Sequence, residues 1–185
     1  RAGIVYRCHG GMSGANYLHA RAAGLSNAAY LASNWYHFRE MSSDHLCEQA
    51  VHEIDLANWF IGRLPERAMG IGARHQRVSG NIYDCFGIDY DYGKGLHVHA
   101  VARQINSCWD RCCTVLTGTK GQIDVLGSKI LLPDGTAQPF PFDEKAIEGR
   151  DGNMYVAEHC DLLQSLLDGK PINEGIIERN AERAG

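Results

Sequence analysis

Along the chain the spacing of apolar residues switches from a short alternating segment to a long helical one, then to a run of alternating segments and a second helical stretch. Residues 3–7 read as a short strand. Residues 42–65, SSDHLCEQAVHEIDLANWFIGRLP, read as one helix. Leu46, Val51, Ile54 and Phe60, with Ala50, Ala57 and Ile61, give it an apolar side. Ser43 or Asp44 can cap its start, Gly62 supplies a left-handed stop and Pro65 prevents continuation. After it the period shortens to two. Residues 66–77 predict a strand, and in 82–92 the even positions Ile82, Phe86, Ile88, Tyr90 and Tyr92 are apolar, with only Asp84 breaking the face. A Gly93-Lys94-Gly95 turn leads into 96–104, where Leu96, Val98, Ala100 and Ala102 alternate with His97, His99 and Arg103. Further strands are predicted at 111–117, 122–126 and 129–132, a loop at 136–153, and a helix at 154–168 stopped by Gly169 and Pro171.

Helices at both ends of a contiguous run of strands predict an α+β fold: a broad, mostly antiparallel, meandering sheet with helices packed on one face. The chain reads as a single domain over 1–185, with a tail from Ile172 that starts another helix and runs out of chain. Large side chains on both faces of the alternating strands, such as Tyr83 and Val101 opposite the Phe86 side, predict a covered second face and hence a homodimer or tetramer formed sheet to sheet.

Composition narrows the classes. With 185 residues, 44% hydrophobic and 22% charged, the chain suits one globular core. A net charge of −4 and the absence of a basic run with interleaved aromatics argue against a nucleic-acid or anionic-membrane surface. No apolar stretch of transmembrane length and no signal peptide are evident. Seven scattered cysteines do not form a disulfide scaffold, so a reduced, cytoplasmic setting is the simplest reading.

The long helix carries a second pattern. At about 100° per residue, His45, Glu48, His52 and Asp55 fall on one stripe. Three readings stay open: a solvated face, a metal site, or a proton-transfer pair of Glu48 and His52 in which a carboxylate orients an imidazole. The HEIDL run lacks the second histidine of a zinc-protease helix, since Leu56 stands there. A thiol and imidazole cluster at His97, His99, Cys108, Cys112 and Cys113 has the wrong spacing for a zinc knuckle. The HGGMSG run at 9–14 resembles half a dinucleotide fingerprint, but His9 stands in place of the first glycine and no Asp or Glu occurs in the first 39 residues. The chain alone is therefore expected to bind neither NAD nor NADP.

The segments SSDHLCEQAVHEIDLANWFIG, PERAMGIGARHQR, NIYDCFGIDYDYGKG, ARQI, GTKG and YVAEHCDLLQSLLDGKPINEG together resemble the C-terminal domain of the Gfo/Idh/MocA oxidoreductases, over about residues 2–175. Asn34-Trp35-Tyr36, His45 and Glu48-Gln49 further resemble a branch whose complete members often carry twin-arginine export signals. The resemblance implies a substrate-binding and oligomerisation domain. Complete members pair it with an N-terminal Rossmann domain that binds NAD or NADP and move hydride to or from a sugar, inositol or related polyol. The family's catalytic lysine, in an E-K-P motif of that domain, has no match here. Its Asp-x-x-x-His helix motif falls on Glu48 and His52, which makes His52 the implied proton-transfer residue, with Asp55 a polar group near substrate. His45, Arg103, Gln104, Trp35 and Tyr36 are further candidates for substrate contact, Arg103 and Gln104 from a strand end and Trp35, Tyr36 and Trp109 by stacking on a sugar face. A free-standing carbohydrate-binding or dimerisation module, and a metal protein using the His45/Glu48/His52/Asp55 stripe, are the competing readings.

Overall fold

A computed structural model describes residues 2–9, 21–139 and 153–173. The glycine run at 10–14 and the helix expected after Asn173 lie outside the described residues. Eight strands form one sheet in the order β2-β3-β4-β1-β5-β6-β7-β8. They are β1 (Ala2–His9), β2 (Arg67–Ala73), β3 (Cys85–Asp91), β4 (His97–Gln104), β5 (Arg111–Thr117), β6 (Gln122–Asp124), β7 (Lys129–Leu131) and β8 (Ala137–Pro139). The helices are α1 (Asn27–Ser33), α2 (Arg39–Ser42), α3 (Val51–Ile61) and α4 (Met154–Leu167), with a 3-10 turn at Trp35–His37 and a π turn at Leu46–Ala50.

The fold is α+β and mostly antiparallel, as the alternation predicts, but it is not a simple meander. β1 inserts between β4 and β5 and runs parallel to β4, with Val5 opposite Ala100 and His9 opposite Gln104. Periodicity marks a strand without naming its neighbours. The composition of β1, apolar at Ile4, Val5, Tyr6 and Cys8, suits its position between two flanking strands. The loop expected at 136–153 opens with the short edge strand β8, paired with β7.

One face of the sheet is covered by the π turn and α3. Leu46, Ala50, Ile54 and Ala57 pack on Val5, Tyr90, Tyr92, Val98, Ala100 and Ala102. The alanines facing each other across this layer let helix and sheet approach closely. Ile54 sits at its centre, and its truncation to alanine would remove about 2–5 kcal/mol. Gly62 ends α3 at φ 79°, a left-handed stop whose N–H returns to the Asn58 carbonyl. The other face carries Ile4, Met69, Ile71 and Val101 exposed, and on it Asp89 lies between His97 and His99 at 3.0 and 3.2 Å.

The single helix expected over 42–65 is divided. Ser43 and Asp44 both take positive φ, 60° and 84°, which separates α2 from the π turn. Asp44 Oδ1 accepts from the His45 N–H at 2.7 Å, and the helix resumes at His45 without a side-chain cap. Its first stretch is π rather than α, so each residue there advances less about the axis. In an uninterrupted α-helix His45 and His52 would point within about 20° of each other. Here His45 is 0% exposed and turned into the protein, while His52 is exposed.

Candidate active site

The polar side chains on the helix-bearing face collect near the ends of β1 and β4, where the 3-10 turn and the π turn meet the sheet. His45 is buried there, with Nδ1 3.3 Å from the Tyr36 hydroxyl. Gln104, the last residue of β4 and 3% exposed, donates from Nε2 to the same hydroxyl and accepts from Arg77 Nη2 at its carbonyl. Arg77 is buried as well, and its Nη1 lies 2.9 Å from Nδ1 of His37. Three residues of the turn and loop, Tyr36, His37 and Arg77, are thereby tied to the end of one strand.

The loop that brings in Arg77 is built by two charged side chains. Asp84 takes the backbone N–H groups of His75, Gln76 and Arg77 at 2.7–3.3 Å. Arg74 gives its guanidinium to the carbonyls of Arg77, Ser79 and Gly80. Gly80, at φ 73°, passes so close to the 3-10 turn that a Cβ would stand 1.8 Å from the His37 carbonyl oxygen. Asp84, which breaks the apolar alternation before β3, is therefore a buried organiser of backbone donors.

The electrostatics of the site are set by burial. Desolvation, with Arg77 nearby, drives the His45 imidazole down to about 3, so it is neutral. Burial, and then the nearby Glu48 carboxylate, pushes the Tyr36 phenol far above its ordinary value, so it stays a hydroxyl. Burial raises Asp55, opposed by His52. It also raises Glu53, although Arg7 donates to that carboxylate at 2.8 Å and pulls the other way.

The expected site residues separate into groups. Tyr36, His45, Glu48 and Gln104 come together; Glu48 is half-buried, with Oε2 accepting from Gln49 at 2.7 Å. His52 and Asp55 lie further along α3, the first exposed and the second half-buried. Trp35 is 43% exposed and meets the Tyr36 ring edge-on at 5.6 Å. Three of the candidates are placed away from open surface beside His52. His45 has no exposed surface. Gln104 has both ends of its amide committed. Arg103, out of phase with the core residues Ala100 and Ala102, projects from the opposite face of the sheet, where it donates to the Trp109 carbonyl and lies 5.9 Å from that ring. Neither Arg103 nor Trp109 shares a cleft with His52.

Sequence reasoning missed Arg7, His37, Glu53 and Arg77. A charged residue on the helix-facing side of a central strand was the available signal for Arg7; Arg77 closes the strand expected over 66–77, whereas β2 stops at Ala73 and Arg77 stands in the loop beyond it. Among the described residues no group of three or more His, Cys, Asp or Glu side chains is placed to hold a metal ion, so the four-residue stripe does not converge as a metal site. All seven cysteines are free. No helix among the described residues is long and apolar enough to cross a membrane.

Solved structures that match this fold include several oxidoreductases. The UDP-N-acetylglucosamine 3-dehydrogenase of Acidithiobacillus ferrooxidans matches with a TM-score of 0.62 at 12% identity, over 100% of this chain and 50% of its own. The aldose-aldose oxidoreductase of Caulobacter crescentus, complexed with glycerol, gives 0.64 at 14%, over 99% and 50%. The scyllo-inositol dehydrogenase of Lactobacillus casei, with NAD(H) and scyllo-inositol bound, gives 0.58 at 14%, over 99% and 52%. The chain thus spans about half the length of these structures. No curated protein sequence matches it. The model of the GFO/IDH/MocA C-terminal domain matches residues 15–124, more than half of the 185, and the chain belongs to that oxidoreductase family as its C-terminal domain.

Proposed function

We propose that the chain forms the substrate side of an NAD- or NADP-dependent oxidoreductase acting on a sugar, inositol or related polyol. The observation that carries this reading is the pair on the central helix: Glu48, half-buried and held by Gln49, and His52, exposed one turn later. Oxidising a secondary alcohol removes a hydride from carbon and a proton from oxygen, and nicotinamide dinucleotide, held by a separate nucleotide-binding domain, supplies the hydride acceptor. The proton is the part handled by this chain. His52 accepts it as general base and returns it in the reverse direction, while Glu48 orients the imidazole. Asp55, close to His52, and Trp35, exposed beside Tyr36, suit a hydroxyl and a sugar face. Tyr36 keeps its proton and presents a hydroxyl donor beside Glu48.

On this reading the chain alone performs no redox chemistry. The test is to join it to a nucleotide-binding domain and offer a panel of inositols, aldoses and alditols with NAD or NADP. Polyol-dependent nicotinamide reduction supports the reading. Saturable sugar binding with no turnover on any of the panel favours a carbohydrate-binding module instead. We also infer a homodimer or tetramer formed through the outer sheet face, supported by Met69 and Ile71 standing 77% and 82% exposed there.

A further inference from the structure

We propose that Arg7 is a positioning residue for Glu48, acting through the side chain of Gln49; the proposal rests on the roles just given to Glu48 and His52. Arg7 leaves the central strand on its helix-facing side and its guanidinium divides. Nη1 donates to Glu53 Oε1 at 2.8 Å and Nη2 to Gln49 Oε1 at 2.7 Å. Gln49 then donates from Nε2 to Glu48 Oε2 at 2.7 Å. A glutamine amide can be turned either way round, but a guanidinium only donates. With its oxygen committed to Arg7, Gln49 must present its NH2 group to Glu48, and Glu48 must accept. Oε2 of Glu48 is thereby taken up as an acceptor, and Oε1 is the oxygen left to meet Tyr36, His52 or a substrate hydroxyl.

The cost of this arrangement indicates its purpose. Glu53 is 2% exposed and its Oε2 has no hydrogen-bond partner, nor has Arg7 Nε. Desolvation offsets most of what such a buried pair contributes, and two apolar side chains would fill the space between β1 and α3 at least as well. An apolar pair cannot hold an amide in one orientation. Glu53 takes one prong of the fork and stops the guanidinium turning, so the other prong is fixed on Gln49. Lysine would keep the charge and lose the fork.

The test monitors the side-chain NH2 groups of Gln49 and Gln104 by nitrogen-15 NMR in this chain. In the unaltered protein the Gln49 NH2 carries a proton shifted downfield and slow to exchange. Arg7→Met and Arg7→Lys both abolish that signature and leave Gln104, held by Arg77, unchanged; general loss of structure would move both. A Gln49 signature that survives Arg7→Met overturns the proposal. The second arm uses the complete enzyme carrying a nucleotide-binding domain. Gln49→Glu keeps the shape and exchanges a donor for an acceptor, so kcat falls about 10- to 100-fold with KM little changed, and the acid limb of the pH–rate profile moves. If NMR shows the relay intact and turnover ignores Gln49→Glu, Glu48 has no part in the chemistry. Arg7 then positions nothing catalytic, and the role given to Glu48 falls while the hydrogen-bond geometry stands.

Discussion

The Tyr36 hydroxyl lies 3.3 Å from Nδ1 of His45, and this contact ties the 3-10 turn to the buried start of the central helix. The same hydroxyl accepts from Gln104, which Arg77 holds from behind. Tyr36→Phe removes one oxygen and leaves buried His45 Nδ1 and Gln104 Nε2 each short of a partner. The expected loss is about 1–3 kcal/mol by urea denaturation, with the slope unchanged. A loss within about 0.5 kcal/mol would mean that water or a rearranged partner satisfies both groups.

His45 gives the fold a defined acid sensitivity. Its imidazole is held down to about 3 by burial and by Arg77, against an ordinary value of 6.5 in the unfolded chain. Between those limits the unfolded chain binds a proton that the folded one refuses. The stabilisation from neutral His45 is therefore complete above pH 6.5 and is lost as pH falls toward 3, at up to about 1.4 kcal/mol per pH unit. Glu53, raised by burial, acts in the opposite direction, so the informative quantity is the difference between wild type and His45→Gln. Denaturation at several pH values should give a shallower acid decline for the variant; parallel curves would contradict the assignment.

The outer face should mediate self-association. Ile71 stands in edge strand β2, opposite Gly87, with Met69 beside it on the same face. Ile71→Lys should shift sedimentation toward the monomer and leave the thermal transition of the fold almost unchanged, because the side chain is already exposed. A wild-type chain that sediments as a monomer at every concentration would contradict the expectation.

Strands and helices were legible where one face is buried and the other is not. The alternation over 96–104 and the strand at 111–117 derive directly from Val98, Ala100, Ala102 and their partners. The place of β1 was not legible, because a short apolar strand carries no mark of the neighbours it will pair with. Nor was the π turn: nothing in LCEQA distinguishes it from α-helix, and it is that turn which sends His45 inward and leaves His52 outside. Arg77 and Asp84 were hidden for a related reason. Their role depends on a loop folding back over the 3-10 turn, a long-range contact that spacing along the chain does not encode.

If His52 exchanges the substrate proton, turnover of His52→Ala in a complete enzyme carrying a nucleotide-binding domain reports it without intermediaries. Because the imidazole is exposed, the substitution should change folding stability by at most about 1 kcal/mol. Nicotinamide reduction with polyol should fall roughly 100-fold or more, the scale expected for a lost general acid or base. Turnover within a few-fold of wild type, at unchanged stability, would contradict the account.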